Sequence, residues 1–209
     1  MGMSGQLIIA LSRQFGSGGH EIARSLAQHF DLPLYEKNML RHIAQSRGVD
    51  PGRLERYDEL PKNRLLYRTV NGFSNAPEDV IAQMQFQYLQ ERASAGESFV
   101  VLGRCAEEVL KWHPGLVTMF VAADIPFRKE RTMKLGHVSE SRALLLIAQY
   151  DRKRRSYHNQ YCKGRWGDAR CYDITVNSGK LGVEGTARIL ADYVKARVDQ
   201  VESGWGGTE

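Results

Sequence analysis

Residues 7–23 read LIIALSRQFGSGGHEIA: an apolar run, three glycines within four positions, then apolar residues at helical spacing. Glycines let successive backbone N–H groups converge on one anion, and the mouth of a helix adds partial positive charge there. An ordinary tight turn between a strand and a helix needs a single glycine. Three of them, Gly16, Gly18 and Gly19 around Ser17, favour a phosphate cradle, with His20 and Glu21 opening the helix beyond it. A standard phosphate loop ends Gly-Lys-Ser/Thr. Here Gly19 stands at the lysine, His20 follows it, and Arg13 falls near the first glycine of the pattern. The absent lysine is the side chain that follows charge onto a transferred phosphoryl group, and losing one such contact costs on the order of a hundredfold in rate. Arg13 is the first candidate to supply that charge and His20 the second; the other reading of Arg13 is a solvated loop cation.

A second concentration of charge lies downstream. Arg128, Arg131, Lys134, Arg142, Arg152, Lys153, Arg154 and Arg155 crowd into about thirty residues. Arginine forks chelate phosphate oxygens, and a cationic cap closing over a phosphoryl group neutralises its spreading charge while excluding water. Arg131 and Arg154 are the expected phosphate contacts; Arg142, Arg152 and Lys153 read as a solvated helix face. Tyr157, Tyr161 and Trp166 offer either a base-stacking platform or local packing, and the i, i+4 spacing of the two tyrosines favours packing. Asp124 reads as a turn acid. The six histidines show no metal spacing, and Cys105, Cys162 and Cys171 form neither a CxxC pair nor a Cys/His ligand spacing. Neither a disulfide framework nor a structural zinc is expected, and no protein metal ligand is assigned.

These residues need a frame. Residues 7–11, 34–35, 99–102, 117–122 and 172–176 are short apolar runs that read as buried parallel strands. Helical patterns separate them, at about 19–30, 37–47, 77–95, 126–160 with an interruption near Gly136, and 183–201. The stretch 48–80, holding Gly48, Pro51, Pro61, Gly72 and Pro77, reads as short helices and loops outside the core. The expected fold is α/β: a five-stranded parallel sheet flanked by helices, with a helical, arginine-rich lid. Ligands on such sheets bind at the carboxyl ends of the strands, and the motifs above fall there.

The blocks SRQFGSGGHEIA, LPLYEKNML, VVLGRCAEEVL, WGD and YDITVNSGKLGVEG, together with the basic segment, occur in this order over about residues 6–200. Together they resemble the cytidylate kinase-like family, a divergent branch of the bacterial cytidylate kinases in which a GSGG loop often replaces the lysine-bearing one. The resemblance implies a P-loop kinase fold and ATP-dependent phosphoryl transfer to a nucleoside monophosphate, CMP or dCMP first, with Mg²⁺ bridging donor phosphates. It also implies that residues 16–19 cradle phosphate, that Arg104 lines the acceptor pocket, and that Asp151 faces the acceptor ribose while Arg154 reaches phosphate. Arg41 lies one residue from an acceptor-phosphate arginine of those kinases. Cys105 stands where they commonly carry aspartate, and Ile147 where they carry a further arginine.

The chain has 209 residues, 42% hydrophobic and 25% charged, with net charge +5. That composition suits one domain over 1–203, with an acceptor-binding insert at about 36–98, a lid at about 126–166 and a tail at 204–209. No signal-peptide pattern and no membrane-length apolar run is present, so a cytoplasmic protein acting on small-molecule nucleotides is expected, without membrane or nucleic-acid partners. Two alternatives stay open: a nucleotide-binding regulator with little turnover, and a P-loop kinase for another small acceptor. A nucleic-acid module leaves the glycine loop unexplained.

Overall fold

The computed structural model describes residues 5–36, 38–48, 50–52, 69–70, 73–74 and 76–202. The expected tail and most of the 48–80 stretch lie outside the described residues. Five strands form the main sheet: β1 (Ile8–Arg13), β2 (Leu34–Tyr35), β5 (Phe99–Leu102), β6 (Leu116–Ala122) and β7 (Ile174–Asn177), in the order β2-β5-β1-β6-β7. Every pairing is parallel, and β1 sits between β5 and β6, with Ile9 level with Val100 on one side and Val117 on the other. A separate two-stranded hairpin, β3 (Thr69–Val70) with β4 (Phe73–Ser74), falls in the stretch read as irregular.

Pleating divides the central strands between two cores, because successive side chains point to opposite faces. Ile9 and Leu11, with Val100, Leu102, Val117 and Met119, face helices α1 (Gly19–His29) and α7 (Ser178–Glu202). Ile8, Ala10, Phe99 and Val101 face α2 (Asn38–Arg47) and α3 (Pro77–Ser94) through Met39, Leu40, Ile43, Ile81 and Leu89. With helices on both faces, the central strands carry no polar alternation. Ile9 is 0% exposed, and its truncation to alanine removes about 2–5 kcal/mol.

Among the described residues the remaining helices are α4 (Ala106–Val109), α5 (Ile125–Gly136) and α6 (Glu140–Tyr161), followed by a 3₁₀ turn at Ala169–Cys171. The break between α5 and α6 falls where Gly136 indicated. His137 ends α5 in the left-handed region, and Ser139 caps α6 by accepting the Arg142 N–H at 3.4 Å. Two boundaries differ from the sequence reading. The fifth strand starts at Ile174, not 172, because the Asp173 carboxylate takes the Thr118 N–H at 2.7 Å and its hydroxyl at 2.8 Å. The last helix gains a turn ahead of 183, joined across Gly182 (φ 69°, ψ 176°), whose backbone is not helical. No described helix is long and apolar enough to cross a membrane.

Candidate active site

The glycine loop lies at the carboxyl end of β1 and runs into α1. Gly16 and Gly18 hold φ of 78° and 80°, a region that costs other residues roughly 1–2 kcal/mol. Space is also closed to a side chain. A Cβ on Gly16 would meet the Arg128 carbonyl at 2.9 Å, and one on Gly18 would meet Val183 Cγ2 at 2.5 Å. No side chain caps the start of α1, which leaves its first amides to receive an anion. The loop is braced from behind: the Ser17 hydroxyl donates to the Gln14 carbonyl at 2.9 Å, and the Ser178 hydroxyl donates to the Ser17 carbonyl at 2.6 Å. Ser17, 0% exposed, shapes the loop rather than lining the space in front of it.

That space is a cleft of about 660 Å³, and Arg13, His20, Arg104, Arg131 and Arg154 all reach it, with Glu21 and Glu36 on its rim. Four arginines around one glycine loop make a strongly anion-seeking surface. Arg131 is held by Glu21 at 2.6 Å, and His20 by Glu36 at 3.0 Å. Arg154 donates to the Arg13 carbonyl at 3.3 Å and lies 5.8 Å above the Phe15 ring, which stacks on Tyr150 at 4.5 Å. Arg104 is buried in a turn where Gly103, Arg104 and Cys105 hold φ of 78°, 63° and 53°. Such strain persists where surrounding structure over-determines it, commonly at binding sites.

Two sequence-derived assignments sit elsewhere. Asp151 does not line the cleft: one carboxylate oxygen accepts the Phe15 N–H at 2.8 Å and the other pairs with Arg128. It therefore fixes the glycine loop to α5, where the resemblance implied a ribose contact. Arg41 is exposed on α2 and is not part of the cleft lining. Arg128, read as one more basic-segment cation, is 3% exposed and also donates to the Phe15 carbonyl at 2.7 Å. Its i, i+3 partner on the helix, Arg131, lines the cleft. Tyr157 and Tyr161 pack edge-on at 5.0 Å, and Trp166 meets Phe120 at 5.3 Å, as the packing reading expects.

Away from the cleft, the fold brings together three side chains with metal-type donor atoms. Glu107, His158 and Cys162 place one donor atom each within 4.8 Å of one another. The signal was the His158-x-x-x-Cys162 spacing across the C-terminal end of α6, about one turn; the glutamate comes from α4, distant in sequence. The Cys162 thiol is pulled below its usual range, chiefly by a hydrogen bond with Cys105 and also by His158, against burial. Burial alone lowers His158, but the closeness of Cys162 and Glu107 outweighs that and pushes it up to about 10.

A family model for the cytidylate kinase-like family matches residues 8–180. The chain belongs to that family. Membership makes it a kinase-type phosphotransferase with nucleotide substrates, on the P-loop kinase fold that the sheet order displays. Among curated relatives, the cytidylate kinase of Pyrococcus horikoshii is 26% identical over 199 residues, covering 94% of this chain and 91% of its own. That of Pyrobaculum islandicum is 24% identical, covering 90% and 92%. An uncharacterized protein from Eubacterium ventriosum superposes with TM-score 0.72 at 34% identity, over 91% of this chain and 99% of its own. Shikimate kinase from Bacteroides thetaiotaomicron shares the fold with TM-score 0.53 at 13% identity, over 90% and 98%.

Proposed function

We propose that this member of the cytidylate kinase-like family transfers the γ-phosphoryl group of ATP to a nucleoside monophosphate, CMP or dCMP first, with Arg13 standing in for the loop lysine. The observation that carries the reading is the packing of Arg13 against Gly19. A Cβ on Gly19 would lie 2.6 Å from Arg13 Cβ and 2.8 Å from Cγ. In the standard loop a glycine comes first and a lysine near the end; here those two positions hold arginine and glycine. The stem of Arg13 fills the room that a side chain at 19 would need, so its charge approaches the cradle from the other side.

In this reading the uncapped amides after Gly18 hold the donor phosphates, and Arg13, Arg131 and Arg154 neutralise charge on the group in transit. The α5–α6 pair serves as the lid, and Arg104 with the insert at 36–98 receives the acceptor. Positioning and charge neutralisation carry such a reaction without a strong base. Both rim carboxylates, Glu21 and Glu36, already face a cationic or imidazole partner, so Mg²⁺ would enter on the donor phosphates and screen their charge. A cytoplasmic setting fits these substrates.

A coupled assay of the full chain with ATP and a panel of monophosphates tests the proposal. Turnover with CMP or dCMP that falls about a hundredfold or more in Arg13→Ala is the expected result. ATP binding without transfer to any acceptor would instead support the regulatory alternative, and unchanged turnover in Arg13→Ala would remove the arginine from its role.

A further inference from the structure

Beneath the cleft, on the far side of Arg104, the chain buries donors that the phosphoryl-transfer reading does not use. Glu107 and His158 have side chains only 7% and 5% exposed. A buried carboxylate needs strong partners, or its desolvation goes uncompensated. Glu107 has weak ones: Oε1 receives the Ser12 and Tyr172 hydroxyls at 3.4 and 3.3 Å, both long for O–H···O bonds. The remaining neighbour is His158 Nε2 at 2.9 Å, yet that nitrogen is out of line for a hydrogen bond and has no directional partner.

The other face of the imidazole is tied down. Nδ1 lies 3.2 Å from the Asn159 side-chain carbonyl, which also accepts the Trp166 N–H at 2.9 Å. Nδ1–H donates there, and Nε2 faces Glu107 and Cys162. Ring orientation by a carbonyl on the opposite nitrogen is the usual outer support of a metal-binding histidine. Nε2 and the Glu107 carboxylate stand at ion-pair distance with the N–H out of line, and a metal ion that displaced this proton would meet both donors with a thiol beside them.

We propose that Glu107, His158 and Cys162 form a zinc-binding site, with the Cys105 thiol as the fourth donor. The three donor atoms lie within 4.8 Å of one another, while tetrahedral zinc holds its ligands roughly 3.3–3.8 Å apart, so side-chain rotation closes the shell. Cys105 hydrogen-bonds Cys162. With His158 it borders a small cavity of about 20 Å³ that Arg13, Arg104 and Arg154 also line, while Glu107 and Cys162 lie outside that lining. Mixed sulfur, nitrogen and oxygen donors in a closed tetrahedral set select zinc over magnesium or calcium. Binding releases the two thiol protons and the His158 Nε2 proton to solvent. Two thiolates and one carboxylate leave the filled site about one negative charge, next to Arg104 and Arg154 on the same cavity wall. The metal would join the strained turn after β5 to the last turn of α6, and so set the position of Arg104.

Cobalt titration of the chelator-stripped full chain tests this. One equivalent should give the ligand-field bands of a four-coordinate ion with near-ultraviolet thiolate charge transfer, and zinc should displace it. Cys162→Ser should lose most of the charge transfer, His158→Gln should weaken cobalt binding about 100-fold or more, and Cys171→Ser should leave both unchanged. Because a buried variant can misfold, the wild-type chain gives a second measurement: zinc should slow alkylation of Cys162 at least about tenfold and spare Cys171. Absence of charge transfer, its survival in Cys162→Ser, or equal alkylation with and without zinc would each overturn the site.

Discussion

Exchanging Arg13 and Gly19 gives the sharpest test of how this loop is built. Gly19→Lys alone puts a Cβ within 2.6 Å of Arg13 Cβ. Arg13 Cβ is fixed by β1, which is paired on both sides, so no rotamer change relieves the contact; only backbone movement does. Overpacking of this kind costs about 1–3 kcal/mol, and an immovable Cβ–Cβ clash belongs at the upper end. For a chain of this size, with each kcal/mol worth roughly 2–4 °C, Tm should fall by about 4–12 °C. Arg13→Gly alone should cost only the roughly 0.5–1 kcal/mol of a glycine at a strand end. In the double variant the clash is gone, so the pair should couple by about 2 kcal/mol in urea unfolding. Turnover should follow the same pattern: low in each single variant and at least about tenfold higher in the double. Additivity within about 0.5 kcal/mol, with no recovery of turnover, would show that the two positions do not share one volume.

Other outcomes follow from neighbouring contacts. Asp151→Asn leaves Arg128 buried without a counter-charge and should cost about 3 kcal/mol, read as a Tm fall of about 6–12 °C. Gly18→Ala meets both a left-handed φ and Val183; unfolding should show a loss of about 2 kcal/mol or more, and calorimetry should show ATP binding abolished. Glu21→Gln frees Arg131 from a partly exposed pair worth about 0–1 kcal/mol. Its Tm should stay nearly constant while ATP binds up to about fivefold tighter; weaker ATP binding would show that the carboxylate itself supports the donor.

The sheet was legible because its signal is local. Runs such as Ile8–Leu11 and Phe99–Leu102 are apolar at every position, which marks strands covered on both faces. The two misjudged boundaries, at Tyr172–Asp173 and ahead of Val183, turn on a side chain and a glycine acting on backbone from other elements, which no local pattern reports. The cleft gathers Arg13, Arg131 and Arg154, which stand out in the chain as charge beside a glycine loop or in the basic segment, and Arg104, which only the resemblance singled out. The sequence could not place Asp151 on the Phe15 amide, because an acid three residues from an arginine looks the same whether it faces a ligand or backbone. The Glu107–His158–Cys162 cluster stayed hidden for a different reason. Its helical half is a single i, i+4 pair, common by chance, and its remaining donor lies some fifty residues away.

The Asp151 carboxylate, gripping both the Phe15 amide and Arg128, acts as a fulcrum. Arg131 lies one helical turn past Arg128 on α5, and Arg154 one turn past Asp151 on the antiparallel α6, so they sit at opposite ends of a short beam, each about 4.5 Å from the pivot. If the two helices rock as a rigid body about that point, one guanidinium approaches the cleft as the other withdraws, by about 0.8 Å for each ten degrees. Bringing both onto the same phosphate then requires the helices to slide or the side chains to extend, and a tilt alone would leave the group gripped from one side.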